Sequence, residues 1–235
     1  TADRSVHVMH NHRDSLEPER QCGTTHNTAP TIGGRATTAK ASAGSSTKVA
    51  EIAIDADNAY YNRKNRNTTT TEAAVNTVLN GMGVIYKRDV GIEYQVTRMI
   101  VRTSRVYSST DTCAILSEFR SRWNASHGGI RRDMAHLFTG IGSFSGVVGC
   151  AYLGVVCGSS AYGASKAYHS STSTNVGLVA HECGHNWSSG HCSGGSCYIM
   201  CAGLGGCGSN LSKFGAASIS TITAYRDRLG CLDKN

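Results

Sequence analysis

His181-Glu182-Cys183-Gly184-His185-Asn186-Trp187-Ser188-Ser189-Gly190-His191 is the stretch on which the reading of this chain turns. Residues four apart on a helix lie one turn apart on the same face, so the imidazoles of His181 and His185 can share one metal ion. Neutral imidazole is a good zinc ligand, and a catalytic zinc takes three protein ligands and keeps a position for water. His191, six residues beyond His185, is the natural third ligand. For it to reach back, the helix must end near Trp187 and the chain must turn through Ser188, Ser189 and above all Gly190, because glycine accepts positive φ. Zinc in such a site lowers the pKa of its water toward about 7. Glu182, beside the first ligand, can take the proton from that water and hand it to a leaving amine. The bland reading of the same spacing is a trio of satisfied structural histidines. A third His in register on a helix-breaking turn favours the metal.

Working outward, a helix is expected from about Asn175 to Trp187, and a last one carries Ala216, Ile219, Ile222, Tyr225 and Leu229. Upstream, Val49-Ala50-Glu51-Ile52-Ala53-Ile54-Asp55 reads as a strand, and Ala74, Val78, Leu79 and Met82 recur at helical spacing. Ile92-Glu93-Tyr94-Gln95-Val96 alternates as a second strand, and Ile115, Leu116, Phe119 and Trp123 mark another amphipathic helix. Val147 to Leu153 is a further strand candidate. Strands alternating with helices in the first half, then helix and loops, argue for a layered α/β or α+β domain. Residues 1–47 are His-, Ser-, Thr- and Gly-rich with no sustained apolar period, and read as a linker or activation segment ahead of a domain over 48–235.

The composition fits a globular protein: 235 residues, 40% hydrophobic, 17% charged. The +7 formal charge comes from Lys and Arg spread along the chain, with no run long enough for a nucleic-acid patch, so a solvated cationic surface is expected and no nucleic-acid partner. A preference for anionic substrates stays open. Ten cysteines with no pair of CxxC motifs at zinc-finger spacing point to disulfides and an oxidising compartment, hence to a secreted protein. No segment approaches the roughly 18 apolar residues that a membrane span needs. The start at Thr1 suggests a signal peptide that was removed or left out of this sequence.

The histidine stretch, followed by Cys197-Tyr198-Ile199-Met200, resembles the metzincins and among them the adamalysin (reprolysin) branch, whose extended motif is HExxHxxGxxH with a later methionine-bearing turn. Asn186 directly after the second His, and the Cys-x-Ile-Met form of the turn, look like adamalysins rather than matrixins or astacins. Glu51 to Asp57 resembles the family's first strand, Phe119 and Trp123 its second helix region, and Arg132 to Gly140 the segment before its edge strand. The resemblance thus covers about residues 48 to 235. One departure stands out: the family usually has Gly where this chain has Ser188. If the backbone needs positive φ there, Ser is strained by about 1 kcal/mol, or the turn is remodelled around Gly190.

The resemblance implies a metzincin-like catalytic domain: a twisted, mostly parallel sheet with an edge strand above the active-site helix, and a small loop-rich C-terminal subdomain. It implies a monomeric zinc endopeptidase acting on protein or peptide substrates, with Met200 as a hydrophobic floor beneath the metal. The edge strand would be Gly146 to Gly154, with Gly149, Cys150, Ala151 and Tyr152 receiving an extended peptide as an added strand; an ordinary core strand is the plainer reading. The small residues of Cys201 to Cys207 suggest a pocket for a bulky apolar side chain. Cys22 resembles a zymogen cysteine whose thiolate takes the fourth zinc position, although parity favours a disulfide for it. With Cys22 set aside one other cysteine is left over, and Cys183, turned away from the ligands, is the candidate. The family suggests a long link between the Cys113 region and Cys231, with short links among Cys150, Cys157, Cys192, Cys197, Cys201 and Cys207. It also suggests a calcium ion, with Glu51, Asp111, Asn235 and the Cys231 carbonyl as ligands. The rival readings are a catalytically silent binding module with the same fold, and a structural zinc protein. The intact Glu182 weighs against the first and the open fourth position against the second.

Overall fold

The structure is a computed structural model that describes the backbone of Val6–Asn11 and residues 47–205, 207–208 and 210–234. In chain order the elements are β1 (Val6–Asn11), β2 (Lys48–Ala56), α1 (Asn58–Arg63), α2 (Thr68–Val90), β3 (Ile92–Val101), α3 (Thr112–Ser126) and β4 (Met134–Phe138). There follow β5 (Val147–Tyr152), β6 (Tyr162–Ser165), α4 (Thr172–Asn186), β7 (Gly203–Leu204), α5 (Ala216–Arg226) and β8 (Asp233–Lys234).

The sheet runs β3-β2-β4-β6-β5-β1-β7, with β8 pairing the start of β2. Neighbours from β3 to β6 are parallel and β5 is antiparallel to β6. Parallel strands are buried on both faces, and six of the nine residues of β2 are accordingly apolar. Ala50, Ile52, Ile54 and Ala56 join the core made with α2 and α4, whereas Ala53 faces the opposite core built on α3. That alternation is the two-residue period of a strand feeding two cores at once. Helices therefore cover both faces of the sheet, in the expected layered α/β arrangement.

Local chemistry sets the element ends. The Asn67 side chain accepts from Thr70 N to start α2, and Gly91, at φ 60°, closes it in the left-handed conformation. Asp111 starts α3 by accepting from the Cys113 and Ala114 amides. Asp55, fully buried in β2, ties the sheet to α3: it accepts from Arg102, from the Tyr107 hydroxyl at 2.8 Å and from Trp123 Nε1 at 2.8 Å. Phe119 and Trp123 are buried on this face as the helical spacing predicts.

Four disulfides join Cys113–Cys150, Cys157–Cys231, Cys192–Cys197 and Cys201–Cys207. The expected long link from Cys113 to Cys231 is thus corrected. Thr112 Oγ1 donates to the Val147 carbonyl, so the first turn of α3 lies beside β5 and Cys113 meets Cys150 there. Cys231 instead meets Cys157, whose amide is held by the Asp133 carbonyl at the foot of β4. Cys183 is free and buried, as expected, while Cys22 lies outside the described residues. No described helix is long and apolar enough to cross a membrane.

Candidate active site

Ser171 opens α4 by accepting from Thr174 N, three residues earlier than the apolar period suggests. At the other end Trp187 is the C-cap, the Ser188 amide donates to the His185 carbonyl at 2.8 Å, and the Ser189 amide reaches back to the Gly184 carbonyl at 2.9 Å. This pair of bonds is a Schellman motif, which places one residue in the left-handed region. That residue is Ser188, at φ 73°, while Gly190 is not in that region. Of the two outcomes foreseen for the missing glycine, the strained serine is the one adopted.

The same turn orients a ligand. His185 Nδ1 lies 2.7 Å from the Ser189 carbonyl, and His181 Nδ1 lies 2.6 Å from the Ile199 carbonyl. A carbonyl only accepts, so both Nδ1 atoms donate and both Nε2 atoms are left with lone pairs. These lone pairs converge: His181 Nε2 is 2.9 Å from His185 Nε2 and 3.2 Å from His191 Nε2. Tetrahedral ligands at zinc–nitrogen distances would be about 3.3 Å apart. The three histidines therefore fit one metal ion by donor type and by spacing. A second cluster, Asp133, Cys157 and Cys231, does not, because its two sulfurs are joined in a disulfide.

Around the triad, small residues permit close approach. A Cβ on Gly184, between the two helical ligands, would meet Met200 Sδ at 2.6 Å, so the fully buried methionine lies directly under that turn. A Cβ on Gly149 would meet Glu182 Oε1 at 2.0 Å, so the carboxylate rests against β5. Glu182 is completely buried, neither carboxylate oxygen has a hydrogen-bond partner among the described residues, and burial pushes its pKa well up. Cys183 points the other way, with Sγ 3.8 Å from His136 Nδ1. Burial raises the thiol's pKa and drops that of His136 to about 3.

Asn186 fixes the helix to the sheet: its Nδ2 donates to the Tyr152 carbonyl at 2.8 Å and to the Tyr162 carbonyl at 3.0 Å. Gly149, Cys150, Ala151 and Tyr152 all lie on β5, and Cys150 is also held by its disulfide. β5 would close the sheet were its outer side not paired with β1. The sequence pointed to the three histidines, the glutamate and the methionine that the structure gathers here. It named Gly149 only as a peptide-binding position and not for its contact with Glu182, and it did not reveal Gly184 or the carbonyls of Ser189 and Ile199, whose only signal is small residues beside the motif and the turn that follows it.

Of the residues expected to hold calcium, Glu51 and Cys231 both lie by Asp133, but Asp111 does not join them. Asp111 caps α3 beside Val147, at the end of the sheet opposite Glu51, which lies next to Asp133 before β4 begins. Arg131 pairs with both Glu51 and Asp233, each at 2.8 Å, so a guanidinium neutralises these carboxylates. Asn235 lies outside the described residues.

A family model, Reprolysin_5, metallo-peptidase family M12, matches residues 45–228. No match was found among curated proteins. Among solved structures the chain is similar to one titled "Structure of a chaperone-substrate complex", at 11% identity and TM-score 0.56, over 76% of this chain. It spans only 34% of that chain, so the likeness concerns the fold alone. With a match over most of its length and a histidine triad of metal-ligand geometry at its centre, the chain belongs to metallopeptidase family M12, as a metzincin-like protein of the reprolysin type.

Proposed function

We propose that this chain is a secreted zinc-dependent endopeptidase in which Glu182 is the general base. The observation that carries the reading is the convergence of three histidine Nε2 atoms beside a buried carboxylate that has no hydrogen-bond partner among the described residues, one position from the first of them. His181, His185 and His191 would hold the zinc, which when bound supplies a Lewis acid for the scissile carbonyl and acidifies a water. Glu182 accepts the proton of the attacking water and returns it to the departing amine. Its desolvated setting makes it more basic than an exposed carboxylate, which suits that task. Met200 and Gly184 keep the floor of the site apolar and close, and Asn186 keeps the helix at a fixed distance from β5. A peptide substrate adds to β5 as a strand over Gly149 to Tyr152, so that main-chain pairing supplies affinity without demanding a sequence. The small residues following Met200 suit a bulky apolar side chain next to the scissile bond.

Residues 1–47 act as an activation segment for the catalytic domain at 48–235, and Cys22 as a thiolate that holds a latent form. The four disulfides support an extracellular location. Calcium, if bound near Glu51, needs a ligand set other than one that includes Asp111. The second reading is a silent binding module of the same fold; the retained Glu182 argues against it. Incubating the purified chain with unfolded casein, before and after limited trypsin treatment and with or without a zinc chelator, separates the two. Chelator-sensitive cleavage supports the peptidase. Stoichiometric zinc with no cleavage in any form supports the silent module.

A further inference from the structure

We propose that the folded chain carries N-linked glycans at Asn67 and Asn210, and at neither of its two other acceptor sequences. The inference rests on the extracellular reading, since oligosaccharide is added to chains that enter the secretory route. An acceptor asparagine is followed by any residue but proline and then by serine or threonine. Four stretches have that form: Asn67-Thr68-Thr69, Asn124-Ala125-Ser126, Asn186-Trp187-Ser188 and Asn210-Leu211-Ser212. In the transfer, the asparagine Nδ2 bonds to the anomeric carbon of an oligosaccharide carried on a lipid diphosphate. The bond from that carbon to the diphosphate breaks, the lipid diphosphate departs with the electron pair, and Nδ2 gives up one proton. A native fold can therefore carry the glycan only where it leaves an Nδ2 proton unused and facing solvent. The side-chain oxygen keeps its bonds.

The four sites divide on that criterion. Asn67 is exposed in the turn between α1 and α2, and its Oδ1 accepts from Thr70 N at 2.9 Å to cap α2. Asn210 lies in the loop between β7 and α5, where its Oδ1 accepts from the Ser212 amide at 2.9 Å and from the Ser212 hydroxyl at 2.8 Å. In both, the fold uses the oxygen and not the nitrogen, so a sugar on Nδ2 leaves the cap and the turn in place. Asn124 is exposed as a residue but committed at both ends of its amide: Nδ2 donates to the Ser159 carbonyl at 2.9 Å and Oδ1 accepts from the Tyr162 hydroxyl at 2.8 Å. A sugar there would stand between α3 and the segment it clasps. Asn186 is completely buried and spends both Nδ2 protons, on the Tyr152 and Tyr162 carbonyls, so a chain modified there cannot seat α4 on the sheet.

The test takes the full chain from the cells that make it. An amidase that releases N-glycans is applied in heavy-oxygen water, so that each glycosylated asparagine becomes a labelled aspartate, located by peptide mass mapping. Label is expected at Asn67 and Asn210, with Asn124 and Asn186 unlabelled. Thr69→Ala and Ser212→Ala, made in the same cells, should each remove one glycan and its step in gel mobility. Backbone amides still bond Oδ1 at both sites in these variants, so the fold is retained. Label at Asn124 or Asn186 of the folded chain overturns the proposal. A chain found in the medium with Asn67 and Asn210 unlabelled also overturns it, and leaves the extracellular reading standing. Label at Asn67 and Asn210 on a chain held within the secretory compartments supports the proposal and discards release from the cell, whereas an unlabelled chain confined to the cytosol overturns both.

Discussion

Gly149 and Glu182 are fitted to one another closely enough that an added methyl group would displace the Glu182 carboxylate, the proposed base. Gly149→Ala is therefore expected to retain zinc and lose on the order of a hundredfold in kcat, the usual consequence of moving a reacting group by about 1 Å. Metal analysis beside steady-state kinetics checks this, and unchanged kcat would remove Gly149 from the site. His136 makes a separate prediction about stability. It is buried, bonded to Ser165 Oγ at 2.9 Å, and its pKa falls from 6.5 to about 3 through desolvation. A folded-state pKa below the unfolded value means that the unfolded chain binds the proton first. The contribution of the neutral ring is thus complete above pH 6.5 and is lost as pH falls toward 3. The full loss is on the order of 5 kcal/mol. Urea unfolding of the metal-free chain against pH, compared with His136→Gln, should show this slope in the wild type and a flatter curve in the variant.

At the scale of elements, the end of α4 joins two requirements that usually fall to different residues. The Schellman turn ends the helix, and its Ser189 carbonyl sets the tautomer of His185. Ser188 takes the left-handed position, where a Cβ is unfavourable. Ser188→Gly should therefore stabilise the folded chain by about 0.5 kcal/mol, less than the full strain because glycine also frees the unfolded chain. A shift of the denaturation midpoint at constant slope measures it, and no gain would mean that local contacts already offset the strain. The sequence made this position suspect through its departure from a motif, yet which of two turns resulted depends on tertiary bonds that spacing does not encode. Helices were legible where apolar residues recurred over many turns, as along α2 and α3. Short β6, Tyr162-Gly163-Ala164-Ser165, has no β-branched residue and gains its strand form from lying between β4 and β5. β1 escaped notice for the same reason, since its order comes from its partners.

For the molecule as a whole, the disulfide pattern marks what local sequence withholds. Cysteine spacing does not fix connectivity, and the long link followed the position of Cys157 next to Asp133, which only the assembled sheet defines. Cys157–Cys231 spans 74 residues, so replacing both cysteines with serine should cost about 4 kcal/mol through the freed unfolded chain, seen as a lower Tm with the triad and its zinc affinity intact. The histidine and glutamate cluster, by contrast, was legible in the sequence, because its four residues lie within eleven positions on one helix and one turn. Its central claim is that this constellation performs metal-assisted hydrolysis with Glu182 as base. Peptide hydrolysis and bound zinc should therefore be measured together in the wild type and in Glu182→Ala. The account predicts one zinc per chain in both and a loss of at least about a hundredfold in kcat for the variant. Turnover that survives the substitution, with zinc still bound, would contradict it.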